Sequence, residues 1–164
     1  MTWLAYVILT LVTLQRLGEL MLAERNTRRL LAQGAHEVGR GHYPLIVAVH
    51  AGWLAALWWL APGQPIYPIP LLLFVALQAA RLWVVSTLGR RWTTRIIILP
   101  KAPLVRAGPY RWVNHPNYLV VVGEIALLPL VFGLWALALA FSLLNAAVLL
   151  VRIREENKAL AAAS

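Results

Sequence analysis

Five long apolar segments, separated by short polar connections, constrain this chain more than any other feature of its sequence. They lie at residues 2–23, 43–61, 71–88, 116–133 and 134–151. Each is close to the roughly 20 residues that a helix needs to cross a bilayer. Hydrophobic residues make up 61% of the 164, and the 13% of charged residues is about half of what soluble domains carry. The sequence therefore predicts a single all-α integral membrane domain with five transmembrane helices.

Proline and glycine mark the ends of these segments. Pro116 stands at the first position of the fourth helix, where its missing N–H is not needed. Only a tight turn near Gly133 separates the last two segments, so the sequence predicts a C-terminal helical hairpin. We expect residues 89–115 to form a cytoplasmic loop and residues 152–164 a cytoplasmic tail.

Basic residues indicate the orientation in the membrane. Residues 24–42 carry four of the 15 lysines and arginines, residues 89–114 carry six and residues 152–158 carry three. Because cytoplasmic connections are enriched in these residues, we place the N-terminus outside and the C-terminus inside. Membrane lipids are then the expected neighbours of the basic loops, and the charge gives no reason to expect nucleic acid.

Ionisable residues within the apolar segments are costly and usually have a role. Arg16 and Glu19 lie three apart on one helix face, and Arg81 and Glu124 lie on the third and fourth helices. One interpretation is ion pairing, between Arg16 and Glu19 and between Arg81 and Glu124. The other is a substrate site that includes Arg16, Glu19 and Arg81. His50 is expected to be a hydrogen-bonded core histidine.

We do not expect a metal site. The chain has no cysteine, and the candidates His36, Glu37, His42 and His50 lack the i, i+4 spacing of a helical ligand pair. In the basic loop, Trp92 is a candidate to line a ligand pocket.

Two motifs at the ends of the hairpin carry the chemistry. Residues 108–118 read Gly-Pro-Tyr-Arg-Trp-Val-Asn-His-Pro-Asn-Tyr, a turn followed by a helix start whose free N–H groups suit a carboxylate. His115 and Tyr118 are three apart and share one surface. Adjacent Glu155 and Glu156 suit an ammonium group or a sugar diol. The alternative is that Arg152 pairs with one of these glutamates within its own helix.

The two motifs and their spacing resemble the isoprenylcysteine carboxyl methyltransferase family, integral membrane enzymes whose superfamily includes phospholipid methyltransferases. The resemblance covers residues 81–160. It implies that S-adenosylmethionine binds at the cytoplasmic membrane face. The implied cofactor residues are His115, Pro116, Tyr118, Glu155 and Glu156, and Arg152 is implied to shape the site.

Eight residues in the first half of the chain carry a further resemblance: Arg16, Glu19, Asn26, Gly34, Ala35, His42, Tyr43 and His50. With them the chain resembles a compact bacterial branch, some members of which O-methylate lipid-tailed phenols or pyrones. Asn114 stands where many members have Arg. Prenylcysteine methyltransferases continue past the glutamate pair with a substrate-facing Arg, whereas eight residues follow Glu156 here, so we expect another acceptor. The resemblance implies methyl transfer from S-adenosylmethionine to a carboxylate, phenol or enol oxygen of a lipophilic membrane-embedded molecule, at the cytoplasmic face of a bacterial inner membrane.

The catalytic residues implied by this reading are Arg152, His115 and Glu124. An acceptor oxygen that is already ionised needs no base, whereas a phenol benefits from one, and His115, Glu124 and His42 are the candidates. Two other functions stay open at this point: an NADPH-dependent membrane reductase of similar fold, and a non-enzymatic membrane assembly subunit.

Overall fold

Five α-helices make up most of the structure, a computed structural model that describes residues 2–39, 41, 43–100, 102–103 and 105–163. They are α1 (Thr2–Ala32), α2 (Tyr43–Leu60), α3 (Pro68–Leu88), α4 (Pro116–Val131) and α5 (Trp135–Ala163). The prediction of an all-helical fold is confirmed, with helices accounting for 77% of the structure.

Four of these helices, α1, α2, α3 and α5, are long and apolar enough to cross a membrane. The fourth helix of the chain, α4, is equally apolar but has 16 residues, which span about 24 Å of a hydrocarbon core about 30 Å thick. The presence of several apolar spans is thus confirmed. The fifth span and the orientation stay predictions.

The first helix is longer than its apolar segment, because it continues past Ala23 to Ala32. Its last three turns keep one buried face, formed by Ala23, Asn26, Thr27 and Leu30, while the arginines between them are exposed. Packing of this face against the rest of the protein extends the helix beyond the point where hydropathy predicts its end.

The predicted tail is also helical. Residues 152–163 continue α5 without a break, and α3 begins at Pro68 instead of residue 71. The predicted hairpin of α4 and α5 is present, and its turn places Gly133 at φ +68°, a conformation that favours glycine. A Cβ at Gly133 would approach the ring of Tyr67 to 2.8 Å.

A small antiparallel ribbon joins two loops that were predicted to lack regular structure. Strand β1 (His36–Val38) pairs with β2 (Ile96–Ile98), and Glu37 stands opposite Ile97. Ile96 and Ile98 are buried, and both strands contact α5. The ribbon connects the α1–α2 connection to the α3–α4 loop at one end of the bundle. We call this the basic end, because arginines near or directly after the C-terminal ends of α1, α3 and α5 lie there.

The core lies towards the opposite end. Its large buried members include Trp53 and Leu57 of α2, Phe74 of α3, and Ile125 and Leu128 of α4. The Trp53 indole N–H donates to the Ile125 carbonyl at 3.2 Å, which links α2 to α4. This core fixes the hairpin relative to the other helices.

Candidate functional site

The two ends of the hairpin meet at the basic end and bring four predicted site residues together. His115 and Tyr118 come from the start of α4, and Arg152 and Glu156 come from α5. The rings of His115 and Tyr118 stack with centroids 5.0 Å apart and an interplanar angle of 13°. The Tyr118 hydroxyl donates a hydrogen bond to Glu156 Oε2, and His115 Nδ1 lies 3.7 Å from the same oxygen. The sequence placed His115 and Tyr118 on one surface, and the structure connects them to Arg152 and Glu156.

Arg152 is the most buried member of this group, with 8% of its surface exposed. Its Nε donates to the Tyr118 hydroxyl at 2.7 Å, and its Nη1 donates to the Thr94 carbonyl at 2.8 Å. Its guanidinium also lies 5.5 Å from the centre of the Tyr118 ring. Arg152 therefore bridges α4 and the loop before β2, instead of pairing with Glu155 or Glu156 within its own helix.

The other predicted cofactor residues border this group. Pro116 is buried at the first turn of α4. Glu155 lines an open groove of about 360 Å³ together with Gly41, Leu45 and Val151, and it pairs with Lys158 at 3.1 Å. Glu155 is thus more accessible to a ligand from this groove than the hydrogen-bonded Glu156 network is.

Tyr110, in the turn before α4, adds a neutral hydroxyl near this group. Its burial, and then the negative charge of Glu156, raise the pKa of the Tyr110 hydroxyl above its usual value near 10. Tyr110 therefore stays protonated at neutral pH and packs beside the cluster that contains Trp92.

Trp92, which the sequence offered as a ligand-lining residue, lies inside a packing cluster. Only 3% of its surface is exposed, and it contacts Ala23, Val84 and Val120. Its indole N–H is buried without a hydrogen-bond partner among the described residues. Asn26, on the extension of α1 beyond Ala23, donates to the Trp92 carbonyl at 2.8 Å. The structure thus gives Trp92 a packing role.

The ionisable residues of the apolar segments form one cluster, which we call the ion cluster: Arg16, Glu19, Arg81 and Glu124. Arg81 binds both carboxylates, with Nε and Nη2 donating to Glu19 at 2.6 and 2.5 Å and Nη1 donating to Glu124 at 2.8 Å. Arg16 donates to Glu124 at 2.8 Å and lies 3.4 Å from Glu19. Both expected ion pairs are formed, and they share partners across α1, α3 and α4.

Two glutamines complete the ion cluster. Gln78 donates to Glu124 Oε1 at 2.8 Å, and Gln15 donates to Glu19 Oε1 at 3.1 Å. The cluster has no net charge, and all four carboxylate oxygens accept hydrogen bonds. Glu124 is fully buried, whereas the side chains of Arg16 and Glu19 keep 17% and 13% of their surface exposed. Both oxygens of Glu124 thus already accept hydrogen bonds from donors within the ion cluster.

The ion cluster lies further from the basic end than the group of His115, Tyr118, Arg152 and Glu156, which we call the hairpin group. Glu124 follows Tyr118 by six residues on α4, a rise of about 9 Å along the helix. His50 faces the same region, and its Nδ1–H donates to the Ile46 carbonyl at 2.8 Å, as expected of a core histidine. His42, a candidate base, lies outside the described residues. Among the residues that are described, no three His, Asp or Glu side chains come together as a metal site requires.

Sequence reasoning missed several participants. Gln78 stands three residues before Arg81 and so shares its helix face, a signal that was available. Tyr43 and Thr94 share a hydrogen bond of 3.0 Å next to Arg152. No local pattern indicates this contact, because it joins the first residue of α2 to a loop 51 residues further along the chain.

Comparison with known proteins finds a matching family and similar bacterial proteins. Residues 70–162, more than half of the chain, match the Isoprenylcysteine carboxyl methyltransferase (ICMT) family. An uncharacterised protein of Bacillus subtilis (strain 168), YpbQ, is 36% identical over 173 residues, which cover 98% of this chain and 96% of that protein. An uncharacterised protein of Haemophilus influenzae is 27% identical over 151 residues, 88% of each chain. No solved structure matches. The chain belongs to the isoprenylcysteine carboxyl methyltransferase family, and this membership, with its apolar helices, indicates a multi-pass membrane methyltransferase.

Proposed function

We propose that this protein transfers a methyl group from S-adenosylmethionine to an oxygen of a lipophilic, membrane-embedded small molecule. The observation that carries the proposal is the hydrogen-bonded group of His115, Tyr118, Arg152 and Glu156. All four residues lie within the region that matches the family. Two helix ends that meet in this way present charged and polar groups at the basic end of the bundle, where a water-soluble cofactor has access.

The residues present fit the cofactor. S-adenosylmethionine carries an ammonium, a carboxylate, a ribose diol and a sulfonium. Glu155 beside the groove and Glu156 suit the ammonium or the diol through charge-assisted hydrogen bonds. At the first turn of α4, Pro116 has no N–H and the Tyr118 N–H donates to the His115 carbonyl at 3.1 Å, so the donor that suits the carboxylate is the Asn117 N–H. When bound, the cofactor supplies an electrophilic methyl group.

The task of the protein is then to hold the acceptor oxygen near that methyl group and to exclude water. Arg152, fixed by Tyr118 and Thr94, gives one wall of the site a defined position. An acceptor that arrives ionised needs no base. For an acceptor that arrives protonated, we propose that His115 takes the proton, because its ring is partly exposed and lies next to a carboxylate. Glu124 is fully engaged in the ion cluster and is not proposed for this step.

We further propose that the acceptor contacts the ion cluster through Arg16. Of its two arginines, Arg16 is the more exposed, at 17% against 6% for Arg81, and its contact with Glu19 is long at 3.4 Å. Arg16 can therefore turn towards a carboxylate or enolate while Arg81 keeps both glutamates paired. In this proposal Arg16, Glu19 and Arg81 line the acceptor side, and the cofactor side faces the cytoplasm of a bacterial cell.

The test is calorimetric binding of S-adenosylmethionine and, separately, NADPH to the detergent-purified protein. Glu156→Gln and His115→Ala are the site variants, and Glu24→Gln is the matched control because Glu24 lies on an exposed helix surface. Saturable S-adenosylmethionine binding that weakens at least tenfold in both site variants and not in the control supports the proposal. Binding of NADPH alone would indicate a reductase, and binding of neither ligand would contradict an enzyme of this class and favour an assembly subunit.

A further inference from the structure

Part of the candidate site is held by residues outside the region that matches the family. The match begins at residue 70, so β1 and the start of α2 lie before it. β1 reaches the site by pairing with β2 directly after Arg95, and the start of α2 reaches it through a hydrogen bond to Thr94. The front of the chain is therefore built into the surroundings of Arg152.

Tyr43, the first residue of α2, makes the most direct of these contacts. Its hydroxyl shares a hydrogen bond of 3.0 Å with Thr94 Oγ1. The Arg95 guanidinium lies 5.1 Å from the centre of the Tyr43 ring, and Arg95 also pairs with Glu37 of β1 at 3.4 Å. Tyr43 is thus fixed both by its ring and by its hydroxyl.

Thr94 passes this constraint on to Arg152. Its carbonyl accepts the hydrogen bond from Arg152 Nη1 at 2.8 Å, while its hydroxyl is held by Tyr43. The other end of the Arg152 guanidinium donates to Tyr118, which in turn donates to Glu156. A series of hydrogen bonds, joined covalently through Thr94, therefore runs from α2 through the loop to both helices of the hairpin.

We propose that Tyr43 is a positioning residue for the cofactor site: its hydroxyl fixes the Thr94 backbone, which orients Arg152 and, through Tyr118, Glu156. This inference rests on the proposed function for its ligand, S-adenosylmethionine. A planar guanidinium forms its bonds in a fixed fork, so a displaced carbonyl at one side changes the geometry at the other. Losing one neutral hydrogen bond at this point should weaken ligand binding roughly threefold to tenfold.

The experiment compares S-adenosylmethionine affinity and thermal unfolding of the full chain for the wild type, Tyr43→Phe, Thr94→Val and Thr94→Ser. Tyr67→Phe is the matched control, because Tyr67 lies at the opposite end of the bundle, beside Gly133. We expect weaker binding in Tyr43→Phe and Thr94→Val and wild-type affinity in Thr94→Ser, which keeps the hydroxyl. Tyr43→Phe and Thr94→Val lose the same hydrogen bond, so their unfolding temperatures should fall to the same small extent. Equal affinities in all variants, or an affinity of Thr94→Ser that falls as far as that of Thr94→Val, would overturn the proposal.

A second measurement does not depend on the ligand. In ¹⁵N-labelled protein the Arg152 Nε–H signal, assigned with Arg152→Lys, reports how firmly the guanidinium is held. Exchange of this proton with water should be faster in Tyr43→Phe than in the wild type and unchanged in Tyr67→Phe. If the wild type fails to bind S-adenosylmethionine but this difference is found, the proposed function is wrong while the positioning role stands; no difference refutes the positioning role.

Discussion

Neutralising Glu124 should destabilise the protein more than any hydrogen-bond count suggests. Glu124→Gln leaves Arg16 and Arg81 to share the single carboxylate of Glu19 within the buried ion cluster. The three hydrogen bonds that Glu124 accepts would account for about 2 kcal/mol in total at the averages measured within membranes. Removing one partner from a buried ion pair costs about 3–5 kcal/mol, because a charge is left unpaired. Since Gln keeps some hydrogen bonding, we expect a loss of about 3 kcal/mol.

The matched control is Glu24→Gln. Glu24 pairs with Arg28 at 2.9 Å on the same helix, but the two side chains are 45% and 78% exposed. Water and ions screen such a pair, so its loss should change the free energy of unfolding by less than about 0.5 kcal/mol. The two substitutions remove the same charge and differ only in burial and partners.

A double substitution tests whether charge balance is the cause. Arg81→Met combined with Glu124→Gln leaves one arginine and one glutamate, Arg16 and Glu19, which already lie 3.4 Å apart. The double variant should therefore lose less than the sum of the two single variants, by about 0.5–3 kcal/mol.

The assay is reversible unfolding in mixed micelles with a rising fraction of dodecyl sulfate, followed by tryptophan fluorescence. The reasoning is refuted if Glu124→Gln loses no more than Glu24→Gln, or if the losses in the double variant are additive.

Three further predictions use the same measurement or a simple titration. Gly123→Ala places a Cβ 2.6 Å from Leu77 Cδ1 between α3 and α4 and should destabilise by about 1–3 kcal/mol, whereas Gly18→Ala, with nothing within 4 Å, should be neutral or stabilising. Asn26→Ala removes the hydrogen bonds to the Gly89 and Trp92 carbonyls, of which Gly89 keeps the Trp92 N–H as a donor, and it should cost about 1–3 kcal/mol; a change below about 0.5 kcal/mol would argue against the role of α1 in holding the loop. Because the folded state raises the pKa of Tyr110, the unfolded state loses this proton first above about pH 10, and stability should fall as pH rises; Tyr110→Phe should flatten that decline, and an unchanged slope would contradict it.

The separation of the two polar groups has a consequence for the proposed reaction. Tyr118 and Glu124 lie about 9 Å apart along α4, so a molecule can touch the hairpin group with one part and the region of Arg16 with another. This geometry suits the proposed arrangement, in which a water-soluble methyl donor binds at the basic end of the bundle and the acceptor arrives from the lipid.

Much of the fold was predictable because hydropathy is a local property. A run of apolar residues long enough to cross a bilayer forms a helix whatever its neighbours are, since its backbone groups must bond within the segment. For the same reason His115 and Tyr118 were predictable as neighbours, because residues three positions apart on a helix share a face. The spacing of the two motifs around the hairpin was sufficient to identify the family.

What the sequence by itself could not determine is everything that depends on contacts between distant segments. Arg16 and Glu124 are 108 residues apart, and only the packing of α1 against α3 and α4 makes them partners. Arg152 donates to Tyr118 and Thr94 instead of to the glutamates of its own helix, because the hairpin and the ribbon place these two acceptors within reach. Trp92 is buried in one cluster with Ala23, Val84 and Val120, which come from three different helices. The apolar pattern thus determined which helices form, and the tertiary structure decided which polar groups face one another. The physical reason is that the sequence allows a charged or hydrogen-bonding side chain several partners, and only the folded chain brings particular ones within hydrogen-bonding distance.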